Sequence, residues 1–518
     1  MTRLANILGH LRQRDWFLKS SGRWCVALVV GFALSQAMHY RPATPSIPPV
    51  IFSALPQNPN ILSDADATLY RMVFSAQVRG EFQAADAMMA QLSNRYLVGH
   101  VLAERYLNTT YNASTAELRS WLVRYNDHPE TQKIVSLALQ KGFALASAYK
   151  SEQPLKGNGY TDHLGRSAMP DGWYRGIRLW REKHYSAAAP LFRKMADDES
   201  LLNWQRAAAY YWAYRADERN GNRTLARNNL EQAATYKTTF YGLLAARHIG
   251  RIDLVVSAPY VSSAIRKNPS SIRAGLLASL GRTEAAEQEL RHLYSAADVD
   301  QRASLVTLAS ELGLPNLQVR LSRLSGLSAD EALFANYPMP RFMVEAQKDV
   351  DPALLLAIAR NESSFRVDAK SSGGAVGMMQ MLPSTAHGVE RKLNAAKLNV
   401  ASADTSNASM AERLTDPHLS VRFGAEYIKM LLKEPVVNGN VVRMLASYNA
   451  GPGAVAGWER ASKSVDDPLL YIESIPYPET RNYVMQVMAQ YWVYQHLLGE
   501  EAATLTAMAR GQWPHIRG

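Results

Sequence analysis

The sequence predicts an all-α protein, in which a superhelix of paired helices precedes a mostly helical C-terminal domain. Helical periodicity begins near Asp64 and continues almost to the end, without alternating β-branched runs or a well-flanked Asn-Gly hairpin. The 518 residues exceed what one core holds, and 47% are apolar while 20% are charged, so we expect several globular domains. The formal charge of +11 suits an anionic partner such as nucleic acid, an acidic lipid surface or a cell-wall polymer.

Residues 1–37 have the order of a secretory signal peptide. Five basic residues lead into the apolar run at residues 24–34, and the "SQA" that follows is similar to an A-x-A cleavage site. The run is shorter than the ~20 apolar residues that span a bilayer, so we expect cleavage and a periplasmic protein without a stable membrane span. An uncleaved inner-membrane anchor is the alternative. Cleavage would lower the charge to +7 and remove the one cysteine, Cys25.

A proline-rich linker, residues 38–63, is expected next, because six prolines between positions 42 and 59 exclude a regular helix. Three similar segments then begin at Tyr70, Tyr174 and Ile272, each with an apolar helix, a polar turn and a second helix. Such pairs resemble tetratricopeptide-like repeats, which stack because one pair cannot bury its own apolar face. A generic α-helical domain is an equally good interpretation. We assign residues 64–255 to an α-superhelical domain and residues 256–337 to a helical linker domain. Small residues for close packing are expected at Ala85, Ala188 and Ala285.

The C-terminal domain, residues 338–518, carries the residues that suggest chemistry. Asp351 and Pro352 are a helix start signal, and the apolar run that follows predicts a buried helix with Glu362 on its last turn. A carboxyl group at the end of a buried helix, where it faces a cleft, is partly removed from water. This raises its pKa and suits it to act as a general acid. Taken alone, a glutamate at a helix end is more often an ordinary surface residue.

Three further segments present polar side chains at turns. A Gly-rich stretch at residues 371–386 contains Gln380, whose amide can donate and accept hydrogen bonds. Tyr448 and Asn449 precede a Gly-Pro-Gly turn, and Glu479 and Tyr483 follow a corner made by prolines. No HExxH motif or cluster of His and Cys ligands is found, so neither a metal nor another cofactor is expected.

The ordered motifs ES at 362–363, GA-x-G-x-x-Q at 374–380, YNAG at 448–451 and ETR-x-YV at 479–484 resemble those of the soluble lytic murein transglycosylases. The resemblance implies an α-superhelical region followed by a catalytic domain with a goose-type-lysozyme-like fold. Two positions depart from the family pattern, Leu382 in place of Met and Ser420 in place of Asn. By position, the resemblance implies that Glu362 is the catalytic acid/base, that Ser371, Gln380, Tyr448 and Asn449 line the sugar cleft, and that Glu479 and Tyr483 close its other side.

The resemblance also implies a reaction. Glu362 alone would cleave the β-1,4 bond between N-acetylmuramic acid and N-acetylglucosamine of peptidoglycan, and the products would carry a 1,6-anhydro ring. The implied partners are peptidoglycan glycan strands, with wall-synthesis or secretion proteins as further candidates and no nucleic acid. Two alternatives stay open: a lysozyme-type hydrolase in which a second acid such as Glu479 positions water, and a non-catalytic murein-binding scaffold.

Overall fold

The computed structural model describes residues 62–143, 169–324, 326–345, 349–395, 408–461 and 466–516. These ranges contain 26 helices, three isolated β-bridges and no β-strand, so the all-α prediction is confirmed. The expected signal peptide and residues 38–61 of the expected linker lie outside the described residues. None of the helices in these ranges is both long enough and apolar enough to cross a bilayer.

Five helices form the N-terminal part of the superhelix. The Ser63 Oγ accepts a hydrogen bond from the backbone N of Asp66 at 3.0 Å, and Ser114 and Glu117 form a capping box, so local sequence sets two of the helix starts. Many of their buried apolar side chains share one core with residues 261–335. The helices are α1 (Asp64–Val78), α2 (Phe82–Met89), α3 (Val98–Leu107), α4 (Thr115–Arg124) and α5 (Thr131–Gln140).

The next five helices pack against the C-terminal domain. Trp212 in the aromatic-rich segment 203–221 is fully buried, so this segment packs in the core. The buried carboxylate of Glu473 accepts hydrogen bonds from Trp173 Nε1 at 3.2 Å and from the Tyr241 hydroxyl at 2.6 Å, and these bonds join the two parts of the chain. The helices are α6 (Asp171–Arg181), α7 (Tyr185–Ala196), α8 (Asn203–Arg219), α9 (Arg223–Ala234) and α10 (Phe240–His248).

Six more helices complete the superhelix and contain the third repeat. In all three repeats the two helices pack against each other, so the predicted helix pairs are confirmed. Ala85 and Ala188 are fully buried at the predicted close contacts, whereas in the third pair the fully buried residue is Ala286 and not Ala285. The helices are α11 (Ser263–Lys267), α12 (Pro269–Ser279), α13 (Thr283–Ala296), α14 (Val299–Glu311), α15 (Pro315–Ser322) and α16 (Ala329–Asn336).

Ten helices form the C-terminal domain, with α18 and α25 packed against each other in its core. This core also takes in side chains of α6 to α10, while the N-terminal helices pair with residues 261–335. The division of the chain at residues 255 and 337 therefore stays a prediction. The helices are α17 (Arg341–Glu345), α18 (Pro352–Ser363), α19 (Pro383–Ala395), α20 (Met410–Arg413), α21 (Pro417–Lys433), α22 (Val441–Ala450), α23 (Pro452–Ala461), α24 (Pro468–Ser474), α25 (Pro478–Leu498) and α26 (Ala503–Ala509).

A buried ion-pair network joins the N-terminal helices to α13. The two ring nitrogens of His100 lie 3.1 Å from the Glu130 carboxylate and 2.7 Å from the Glu289 carboxylate. Arg273 donates to both oxygens of Glu289 and, at 2.8 Å, to Asp127. Burial by itself lowers the pKa of His100, but the two carboxylates outweigh it and raise that pKa to about 9. The network therefore holds a charged imidazolium between segments far apart in sequence.

Replacing the imidazolium tests this network. We expect His100→Gln to lower the free energy of unfolding by about 3–5 kcal/mol near pH 7, because it leaves the Glu130 carboxylate without its cation and removes one of the two cations that pair with Glu289. The folded-state pKa of His100 lies above its ordinary value, so its stabilisation is complete below pH ~6.5 and is lost as the pH rises through ~9. Denaturant unfolding of wild type and variant at several pH values measures both effects.

The matched control is His184→Gln, which removes an exposed histidine that lies 3.6 Å from Glu182. We expect this change to alter the free energy of unfolding by no more than about 0.5 kcal/mol. Equal losses in the two variants would contradict the buried network.

Candidate active site

Glu362 reaches the site from the end of a buried helix. The Asp351 carboxylate caps α18 by accepting from the backbone N of Ala353 at 2.9 Å, and Pro352 occupies the first helical position. Residues 353–359 are all fully buried. The predicted helix start and the predicted place of Glu362 on the last turn are confirmed.

The backbone directly after Glu362 turns sharply without a glycine. Ser364 and Phe365 both have positive φ angles, of 50° and 65°, a conformation that costs about 1–3 kcal/mol for such residues. Burial of the Phe365 ring and a 2.9 Å hydrogen bond from Asn316 Nδ2 to the Ser364 carbonyl hold the turn. No residue pattern predicts this turn, because helices that end in this way usually have Gly at the position with positive φ.

The Glu362 carboxyl is half-buried, and its pKa lies near neutral pH. Burial raises its pKa to about 7; the Tyr483 hydroxyl, which donates to Glu362 Oε1 at 2.7 Å, opposes this shift, and the negative charge of Glu479 adds to it. The carboxyl can therefore hold a proton or release it with little cost at pH 7. Such a group can act as a general acid and afterwards as a base.

The Gly-rich loop is closed by hydrogen bonds within itself. The Gln380 Nε2 donates to the carbonyls of Ala369 at 3.1 Å and Gly377 at 2.9 Å. The Ser371 side chain is exposed, and its Oγ accepts from the backbone N of Ala375 at 3.0 Å. Gln380 was expected to line the sugar cleft. Its amide nitrogen instead donates hydrogen bonds to backbone carbonyls and stabilises the shape of the loop.

Three hydroxyl groups fasten this loop to the helices around it. Ser363 donates to the carbonyl of Met378 at 2.8 Å, and Tyr448 donates to the carbonyl of Met379 at 2.9 Å. The fully buried Ser420 accepts from the backbone N of Met379 at 3.2 Å. Ser420, one of the two departures from the family pattern, therefore supports the loop from behind.

Asn449 and Glu479 lie on neighbouring helix ends. Asn449 is exposed on the last turn of α22, and its Oδ1 accepts from the Thr480 hydroxyl at 2.7 Å. Thr480 was not predicted as a site residue, although it lies inside the ETR motif. Glu479 is exposed on the first turn of α25, and the nearby Arg481 donates to the carbonyl of Ile475 at 2.9 Å. The helix ends thus bring the predicted residues Glu362, Tyr448, Asn449, Glu479 and Tyr483 to one region.

One cluster of metal-ligand side chains occurs in the part of the chain that the structure describes. His100, His128 and Glu289 place ligand atoms within 4.8 Å of one another, but they lie in the superhelix and not beside Glu362. Arg273 already pairs with both oxygens of Glu289 there. The absence of a metal stays a prediction.

Comparison with known families identifies the domain that holds this site. Residues 339–470 match the family described as Transglycosylase SLT domain, and residues 474–502 match the one described as Soluble lytic transglycosylase helical domain. Residues 339–470 therefore contain a transglycosylase SLT domain, and the chain as a whole is similar to soluble lytic murein transglycosylases. The SLT domain thus contains Glu362, the Gly-rich loop and the end of α22.

The soluble lytic murein transglycosylase of Escherichia coli (strain K12) is 24% identical over 468 residues, which cover 89% of this chain and 66% of that protein. Its counterpart from Salmonella typhimurium is 26% identical over 348 residues, 66% of this chain and 49% of that protein. The crystal structure of the 70 kDa soluble lytic transglycosylase of Escherichia coli has a similar fold, with a TM-score of 0.56 at 16% identity, over 88% of this chain and 100% of that one. The chain thus spans from half to just under two thirds of the length of these two curated relatives.

Two glycines of the SLT domain loop test its packing. Both Gly374 and Gly377 have positive φ, but a Cβ on Gly377 would lie 2.1 Å from the carbonyl oxygen of Leu414, whereas a Cβ on Gly374 meets nothing within 4 Å. We expect Gly374→Ala to cost about 1–2 kcal/mol of unfolding free energy from backbone strain alone. Gly377→Ala should cost about 3 kcal/mol or more, because the loop must also move away from Leu414. Parallel denaturant unfolding of the two variants measures the difference, and equal costs would refute the close packing.

Proposed function

We propose that the chain is a lytic transglycosylase that cleaves the β-1,4 bond between N-acetylmuramic acid and N-acetylglucosamine of peptidoglycan in the periplasm. The observation that carries the proposal is the half-buried Glu362, which has a pKa raised to about 7 and a hydrogen bond from Tyr483. The curated relatives named above are soluble lytic murein transglycosylases. The family reaction needs one carboxyl that changes its protonation state, and Glu362 meets that need.

In the proposed first step, protonated Glu362 donates its proton to the glycosidic oxygen as the bond from that oxygen to C1 of the muramic acid breaks. The acetamido group of the same sugar relieves the positive charge at C1. The Tyr483 hydroxyl favours the carboxylate that remains, since it donates to Glu362 Oε1 at 2.7 Å.

In the second step, the Glu362 carboxylate removes the proton of the C6 hydroxyl, and O6 bonds to C1 to close the 1,6-anhydro ring. The carboxyl ends in its starting state, and no water is consumed. Because the nucleophile belongs to the substrate, its effective concentration is high without a second carboxylate to position it. Ser371, Gln380, Tyr448 and Asn449 would shape the cleft wall, and Glu479 would tune the acid by its charge.

Replacement of the acid tests the central role. We expect Glu362→Gln to lower the rate of sacculus solubilisation by about 10²–10⁴-fold or more, because the amide cannot transfer the proton. Wild-type digests analysed by mass spectrometry should contain anhydro products, each lighter by one water than a product with a reducing end.

The matched control is Glu501→Gln at an exposed position, which should retain wild-type activity. Full activity of Glu362→Gln would refute the role of Glu362. Reducing ends from the pure wild-type enzyme would favour the lysozyme-type reaction. Inactive wild-type protein that binds sacculi would favour the scaffold.

The pH profile tests the neighbours of the acid. We expect the wild-type kcat/KM to fall as the pH rises through about 7, where Glu362 of the free enzyme loses the proton that it must donate. Tyr483→Phe removes a bond that favours the carboxylate, so the pKa of Glu362 rises and the alkaline limb moves to higher pH. Glu479→Gln removes a charge that raises this pKa, so the limb moves to lower pH. Shifts in the same direction, or none, would contradict the electrostatic account.

A further inference from the structure

A cavity of about 900 Å³ lies behind the two helices that present the candidate catalytic residues. Its walls come from residues 201–204, 235–241, 253–255 and 329–337 of the superhelix, and from α18 and α25. The volume falls at the upper end of the range of pockets that bind small ligands, roughly 300–1,000 Å³. The cavity is therefore large enough for a short oligosaccharide.

The cavity is distinct from the cleft at Glu362. On α25, Tyr483 points to the Glu362 carboxyl, whereas Asn482 and Gln486, one helical turn apart, line the cavity. On α18, Arg360 lines the cavity two residues before Glu362. The same two helices thus serve the cleft on one side and the cavity on the other.

Polar groups without protein partners converge on this cavity. Asn482 and Gln486 are half-buried, and within the described residues neither side chain makes a hydrogen bond to the protein. The buried Nε1 of Trp204, another lining residue, also has no hydrogen-bond partner there. A buried polar group is usually satisfied by a partner, so the Trp204 N–H points to an occupant, and the two accessible amides can bond the same occupant in place of water.

The remaining lining combines aromatic rings with balanced charge. Rings of Trp204, Tyr236 and Tyr337 contribute to the wall, and the Arg360 guanidinium lies 4.6 Å from the centroid of the Tyr337 ring. Asp253 at the cavity is paired with Arg251, outside its lining, at 2.9 Å. A neutral ligand with apolar ring faces and amide and hydroxyl groups at its edges fits this lining better than a strongly charged one.

We propose that this cavity is a second saccharide site, which takes a neutral β-1,4-linked N-acetylhexosamine segment of a glycan strand. The proposal rests on the proposed function, since it assumes that the chain acts on peptidoglycan. The acetamido groups would bond Asn482 and Gln486, and sugar rings would lie against the aromatic wall. A glycan strand held there would contact the rear of the helices that carry Glu362 and Tyr483.

The test uses the full chain with Glu362→Gln, so that a saccharide is bound but not cleaved. We expect calorimetric titration with the β-1,4-linked tetramer of N-acetylglucosamine to show two sites. Asn482→Ala with Gln486→Ala, added to this protein, should weaken one site about tenfold or more and leave the other unchanged, because two hydrogen bonds are lost. Ala332→Phe, which fills the cavity from the superhelix side, should remove the same site.

The matched control is Asn228→Ala with Gln232→Ala, an exposed amide pair one turn apart on α9, which should leave both sites intact. Melting temperatures equal to that of the parent protein show that each variant is folded. A single site in the parent protein, or two sites that neither cavity variant changes, would overturn the proposal. Such a result would not change the prediction that the wild-type enzyme forms anhydro products. Conversely, products with reducing ends would refute the proposed function but would not exclude a saccharide site in the cavity.

Discussion

The candidate site depends on the packing of α18 against α25. Each helix buries a nearly continuous apolar surface, and at the cleft this contact places the Tyr483 hydroxyl 2.7 Å from Glu362 Oε1. At the other end of α18, Tyr491 donates to the Asp351 carboxylate, the same group that caps the helix. Because the contact removes water from most of the Glu362 carboxyl, it sets the pKa of that group, and this pKa decides which chemistry one carboxyl can perform.

The superhelix is part of this arrangement and not a separate attachment. Glu473, just before α25, is held by Trp173 and Tyr241, and Asn316 holds the Ser364 carbonyl at the turn that follows Glu362. The repeats thus help to fix both helices that present the site. The cavity of the proposed saccharide site results from the same arrangement. Its walls are formed by α18 and α25 on one side and by superhelix residues on the other.

Local sequence rules predicted much of this structure. Asp351 and Pro352 defined the start of α18, the apolar run defined its burial, and the repeated pattern defined the helix pairs. The positive φ angles of Ser364 and Phe365 could not be predicted, because tertiary contacts and not a glycine hold them. The pairing of His100 with Glu289, 189 residues apart, leaves no local pattern either. The loop-closing bonds of Gln380 depend on the folded path of the loop and were missed for the same reason.

The central claim is that one carboxyl suffices because the substrate supplies the nucleophile. The most direct test is digestion of purified sacculi in water enriched in the heavy oxygen isotope, followed by mass spectrometry of the newly formed glycan ends. The account predicts that the cleaved ends carry no heavy oxygen, since O6 of the same sugar closes the ring. Incorporation of one heavy oxygen at each cleaved bond would contradict it and would show that water is the nucleophile.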